Sequence, residues 1–241
     1  MPLAIFDLDN TLIAGDSDYL WGQHLVEIGI VDGPTYEAAN ARFYADYREG
    51  RLDIDAFLRF ALRPLSEHPL DDLLRWRADF IARRIHPIVL EPALDLVERH
   101  RTAGDTLLII TATNAFVTAP IAERFGITNL IATEPEQANG RYTGAVAGIP
   151  AFQHGKVQRL QQWLQARHES LAGSHFYSDS INDAPLLDRV DHPVAVDPDP
   201  RLGALARERG WPVLSLRQAP ANAFGPGMGP VSGSDTGENL V

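Results

Sequence analysis

The sequence predicts an α/β protein: a parallel sheet covered by helices, with an all-helical insert after its first strand. Three observations predict it. Residues 3–6 form a short apolar run ended by acidic residues, as a buried strand does. From residue 107 onward, apolar runs of strand length alternate with segments of helical spacing. Between Gly15 and Ile88 the strand signals vanish and aromatic-rich amphipathic segments replace them.

Taken in order, residues 3–6 give the first strand. The insert follows, with helical segments at 19–28, 34–49, 54–61 and 70–85. Pro34 suits a first helical turn and Gly50 a helix end. Strands are then expected at 107–110, 129–132, 174–177, 193–196 and 212–214. Helices are expected at 114–124, 155–167, 183–189 and 201–209, the last stopped by Gly210. The expected organisation is a catalytic core of residues 1–15 and 89–218 around a helical unit of residues 16–88. Residues 219–241, rich in Gly, Pro, Ser and Asn, are expected to form a disordered tail.

Bulk properties narrow the function. The 241 residues carry a net charge of −11, which disfavours a nucleic-acid partner, since phosphate backbones are bound through clustered Lys and Arg. No window approaches the ~20 apolar residues of a membrane span, and the first residues lack the basic start of a signal peptide. With no cysteine there is neither a disulfide framework nor a thiolate metal site, as fits a cytoplasmic protein. The eight histidines are scattered without ligand spacing. Oligomeric state is not legible in the sequence.

Four short segments fall at strand ends, where open α/β sheets gather ligands. The first is Asp7-Leu8-Asp9-Asn10-Thr11-Leu12, whose alternation sends Asp7 and Asp9 to the same side. The second is Thr111, and the third is Lys156 at the start of a helix opened by His154-Gly155. The fourth is Asp179-Ser180-Ile181-Asn182-Asp183. Each residue type has a task if the substrate is a phosphate. Clustered carboxylates suit Mg²⁺, a hard cation that prefers oxygen. One carboxylate can attack phosphorus while another protonates the leaving alkoxide. Lys156 and the Thr111 hydroxyl can hold the equatorial oxygens in the transition state. Alone, each is as readily a turn former, a helix cap or a solvated lysine. The ordered set, each member after an apolar run, carries the inference.

On these four motifs, residues 3–215 resemble the haloacid dehalogenase-like phosphatases, in the branch containing the phosphoserine phosphatases. The resemblance implies a Rossmann-like core with a helical cap. It implies that Asp7 is the nucleophile and Asp9 the general acid/base. It implies that Asp7, the Asp9 backbone carbonyl and Asp179 ligate Mg²⁺, supported by Asp183, and that Thr111, Lys156 and Asn182 bind phosphate. Thr111 replaces the serine usual in that branch, and Ala112-Thr113-Asn114 replaces a Gly-Gly pair. A dehalogenase would not need Asp9, and neither would a phosphate-binding module without catalysis. Phosphotransfer to an acceptor other than water remains open on the same scaffold.

The expected substrate is a small phosphorylated metabolite. Asp16 stands nine residues after Asp7, where the resemblance places a glutamate that binds the substrate amine. Counting forward from Glu49-Gly50-Arg51-Leu52, the family's carboxylate-binding arginine falls on Ala61. Arg59 lies two residues earlier, about 200° around a helix, and should face elsewhere. The sequence therefore favours an amino-alcohol phosphate without a carboxylate, such as histidinol phosphate or phosphoethanolamine, with phosphocholine or phosphoserine as alternatives. Tyr19, Trp21, Phe43, Tyr44 and Tyr47 offer a wall for a ring or a cation. Helical packing assigns Trp21, Phe43 and Tyr47 to the interior of the helical unit instead.

Overall fold

The computed structural model describes residues 1–217, so the tail expected at 219–241 lies outside the described residues. β1 (Leu3–Phe6) leads into four helices: α1 (Ser17–Glu27), α2 (Gly33–Arg48), α3 (Ile54–Glu67) and α4 (Leu70–Phe80). α4 runs on through one π-helical turn, Ile81–Ile85, and a 3-10 turn, His86–Ile88. Then come α5 (Glu91–Ala103), β2 (Thr106–Asn114), α6 (Ala115–Arg124) and β3 (Asn129–Thr133). The chain continues through β4 (Pro135–Ala138), β5 (Arg141–Val146), α7 (His154–Arg167) and β6 (His175–Ser178). It ends with α8 (Ala184–Leu187), β7 (His192–Val196), α9 (Pro200–Arg209) and β8 (Val213–Leu214). No described helix is long and apolar enough to cross a membrane.

Six strands form one parallel sheet in the order β3-β2-β1-β6-β7-β8. The order reverses at β1, whose neighbours are β2 on one side and β6 on the other. In a doubly wound sheet this switch point opens a crevice beyond the carboxyl ends of the strands. All of β1 is buried, and its alternation feeds two cores. Leu3 and Ile5 pack with Leu108, Ile110, Val157, Leu160, Leu186 and Leu202 on one face. Ala4 and Phe6 pack with Ile109, Leu96, Val97, Val117 and Ile121 on the other. Burial on both faces explains why these strands read as continuous apolar runs.

Several elements differ from the sequence expectation, and α5, over Glu91–Ala103, has no counterpart in it. β2 does not stop at residue 110 but continues to Asn114, whose side chain caps α6 by accepting from the Val117 N–H at 3.2 Å. α3 does not stop at residue 61 but continues through Pro64 to Glu67. The antiparallel pair β4–β5 was not anticipated at all. Its turn is Asn139-Gly140, both with positive φ (51° and 75°), the conformation a two-residue hairpin demands.

Lys156 owes its position to Gly155. A Cβ at residue 155 would run into the Pro150 carbonyl oxygen, so only glycine lets the chain turn into α7 this tightly. Gly155→Ala is therefore expected to lower both thermal stability and the phosphatase activity that the resemblance implies. A melt together with p-nitrophenyl phosphate turnover checks this, and an unchanged melting temperature would refute the steric account.

Candidate active site

The loop that leaves β1 carries Asp7 and Asp9, β2 carries Thr111 and Thr113, and the turn after β6 carries Asp179 to Asp183. All converge at the switch point. Lys156 reaches in from the first turn of α7. Its Nζ donates to Asp7 Oδ1 and to Asp183 Oδ2, each at 2.8 Å. Asp183 Oδ2 also accepts from Ser178 Oγ at 2.7 Å. Thr11 Oγ1 lies 3.1 Å from Asp7 Oδ2 and 3.2 Å from Asp179 Oδ1, so one hydroxyl spans two carboxylates.

Asp9 is held differently. Its Oδ1 accepts from the Ser17 N–H at 2.6 Å. Its Oδ2 accepts from Thr113 Oγ1 at 2.8 Å and from Thr111 Oγ1 at 3.3 Å. Residues 111 and 113 share a face because β2 is still a strand there, which brings both hydroxyls to one carboxylate. The sequence reading had ended that strand too early and missed Thr113.

Negative charge is in excess. Asp7, Asp9, Asp183 and Lys156 are each at most 8% exposed, and Lys156 is the one buried cation among the described residues. Burial, with Asp183 and Asp9 adding to it against Lys156, pushes the Asp7 carboxyl up to about 7. Burial and then Asp7 raise Asp179 well above the usual carboxylate range. Burial also raises Asp9, while hydrogen bonds from Ser17, Thr113 and Thr111 pull it back. For Lys156 burial works against the charge, but Asp183 and Asp7 overcome it and hold the ammonium above its ordinary value.

This donor set fits a hard divalent cation in its chemistry. Asp7 and Asp179 supply carboxylate oxygens close enough to share the Thr11 hydroxyl, with negative charge left over. No group of three His, Cys, Asp or Glu side chains among the described residues converges as a metal cage. A two-carboxylate site of this kind suits Mg²⁺, which keeps several of its waters. Asp183, expected as a further metal-supporting group, spends Oδ2 on Lys156 and Ser178.

Above Asp7 and Asp9 the structure encloses a cavity walled by Thr111, Thr113, Asp16, Asp18, Tyr19 and Asn40, and by Phe43, Tyr44, Tyr47, Leu52, Ile54 and Phe57. Among the described residues neither lysine, arginine nor histidine lines it, and Ala61 and Arg59 do not reach it. Tyr19 and Tyr44 stack with ring centroids 4.9 Å apart. Trp21 is core, packed edge-on against Phe80 and Phe116, as expected. Phe43 and Tyr47, expected in the interior, line the cavity; Phe43 does both, packing against Phe57 and Phe60.

Two expected ligands also make contacts that the motif did not suggest. Asn182 Nδ2 donates to the Tyr47 carbonyl of α2 at 3.0 Å, and its Oδ1 accepts from Gln153 Nε2 at 3.0 Å. It thus ties the helical segment to the core. Asp16 does line the cavity, but its Oδ1 also caps α1 by accepting from the Tyr19 N–H at 2.8 Å.

The model of the haloacid dehalogenase-like hydrolases matches residues 4–188. Over 219 residues the chain is 48% identical to a histidinol-phosphatase of Neisseria meningitidis, covering 89% of this chain and 99% of that one. It is 33% identical over 221 residues to a phosphoserine phosphatase of Mycobacterium tuberculosis, covering 90% of this chain and 71% of the other. A structure of a protein of unknown function from Bordetella pertussis superposes with a TM-score of 0.84 at 43% identity, over 89% of this chain and 98% of that one. A phosphoserine phosphatase solved as a phospho-aspartyl intermediate analogue shares the fold, with a TM-score of 0.67 at 17% identity and coverage of 90% and 94%. The chain belongs to the haloacid dehalogenase-like hydrolase family, and within it is a phosphatase.

Proposed function

We propose that the protein is a Mg²⁺-dependent phosphomonoesterase of the cytoplasm that works through an aspartyl-phosphate and takes a small amine-bearing metabolite, with histidinol phosphate as the best fit. One observation carries the substrate class. The cavity over Asp7 is walled by carboxylates and aromatic rings and, among the described residues, by no basic one. Such a wall favours a cation or a nitrogen ring and gives a substrate carboxylate no partner. The 48% identity to a histidinol-phosphatase supports the same choice.

In this mechanism the helices α1 to α4 act as a cap over the reacting end. Asp7 attacks phosphorus, forming a carboxyl–phosphate bond as the ester bond breaks. Asp9, with its carboxyl raised by burial, gives its proton to the departing alkoxide. It then takes a proton from water, whose oxygen attacks phosphorus and releases Asp7 and inorganic phosphate. Thr111 and Lys156 hold the phosphoryl oxygens, and Asp183 fixes the Lys156 ammonium. Asp7, Asp179 and the Asp9 carbonyl would hold Mg²⁺, which supplies positive charge to a site with one buried cation and excess carboxylate. Asn182 serves this geometry as a tie between cap and core.

Phosphate release from histidinol phosphate, phosphoserine, phosphoethanolamine, phosphocholine and sugar phosphates tests the assignment. Histidinol phosphate is expected to give the highest kcat/KM, EDTA to abolish turnover and added Mg²⁺ to restore it. A preference for phosphoserine would overturn the substrate reading. Turnover indifferent to EDTA would overturn the metal.

A further inference from the structure

Asp18 has a feature that the phosphate chemistry does not use. It stands in the first turn of α1, is 8% exposed and lines the cavity above Asp7. Its Oδ1 takes only a long bond from Asn114 Nδ2, at 3.4 Å. Its Oδ2 is buried with no hydrogen-bond partner among the described residues. Asp16, two residues earlier, is not in this position, because its Oδ1 is satisfied by the Tyr19 N–H.

An orphaned carboxylate oxygen in the interior is costly, and native structures rarely keep one without use. Among the described residues no Lys, Arg or His lines the cavity to pair with it. The partner must come with the ligand. Asp16 and Asp18 line the same cavity, so the non-phosphate end of the substrate meets two separate carboxylates. We propose that Asp18 Oδ2 is a substrate ligand, taking an N–H from a second nitrogen of the ester while Asp16 takes the amine. The substrate class is then a phosphomonoester with two basic nitrogens, such as an amine and an imidazole ring. The stacked Tyr19 and Tyr44 offer that ring an aromatic face. This assignment rests on the amine-bearing substrate proposed above and goes beyond it, because phosphoethanolamine has one nitrogen and leaves Asp18 unpaired.

The test compares histidinol phosphate with phosphoethanolamine, in wild type and Asp18→Asn, using full-length protein with Mg²⁺. The ratio of their kcat/KM values should fall by about tenfold or more in the variant, mainly through the KM of histidinol phosphate. A second readout separates binding from structure. Burial and then Asp9 raise the Asp18 carboxyl to about 7, above its unfolded value of 3.8. An acid raised on folding loses stability as pH climbs through its folded value, so at pH 8 the ionised Asp18 weighs against the fold. Asp18→Asn should therefore melt higher than wild type at pH 8. An unchanged substrate ratio, or a lower melting temperature with equal losses on both substrates, would overturn the role of Asp18. A wild type without preference for histidinol phosphate would overturn the substrate reading itself, whereas a preference that survives Asp18→Asn overturns Asp18 alone.

Discussion

Asp7→Asn is expected to reduce phosphate-ester hydrolysis by about 10⁴-fold or more, since the loss of a nucleophile is not made up by its neighbours. Asparagine keeps the shape of the side chain. Its oxygen can still accept from Lys156, and its amide can donate to the Thr11 hydroxyl, which remains free to donate to Asp179. The number of buried carboxylates falls by one, so the fold has no reason to weaken. The loss should therefore be chemical, visible in kcat with circular dichroism and melting temperature unchanged or improved. Measurable turnover of p-nitrophenyl phosphate at the wild-type rate would exclude Asp7 as the attacking group.

The second large effect belongs to Lys156. Its Nζ, on a residue 2% exposed, is the shared partner of Asp7 and Asp183. Lys156→Met leaves both carboxylates buried without their cation, and breaking a buried pair in this way costs about 3–5 kcal/mol. The sign of its pH dependence follows. Burial already raises Asp7 to about 7 against the pull of Lys156, and with the ammonium gone it is raised further, so the deficit grows as pH rises. Urea unfolding of metal-free protein at pH 5 and pH 8 should show the larger loss at pH 8. Activity should fall as well, because the proposed mechanism has the same ammonium hold the phosphoryl oxygens. A variant as stable as wild type at pH 8 would mean that Asp7 and Asp183 do not depend on Lys156.

Much of this was legible because the parallel strands are buried on both faces. Residues 3–6 and 107–110 are apolar throughout, and Asp7 and Thr111 stand where those runs end. The same logic hid the end of β2. Thr111, Thr113 and Asn114 are polar and still lie in the strand, because they serve the site and the α6 cap rather than solvent. Period-two alternation from Thr111 would have found Thr113. The β4–β5 pair was missed because its half-exposed strands lack an apolar run, although Asn139-Gly140 is a strong hairpin signal. Asp18 could not be singled out from sequence. Only the packing of α1 against the cavity shows that one of its oxygens has no partner. The bond from Asn182 to the Tyr47 carbonyl was likewise not legible, because the approach of the helical segment to residue 182 is a tertiary fact.

The account turns on a covalent bond between substrate phosphorus and Asp7, and peptide mass analysis after rapid acid quench tests it most directly. Wild type mixed with histidinol phosphate and Mg²⁺ should yield a peptide around Asp7 heavier by one phosphoryl group. Quenched turnover that leaves the Asp7 peptide unmodified, or a phosphoryl group found on another residue, would contradict it.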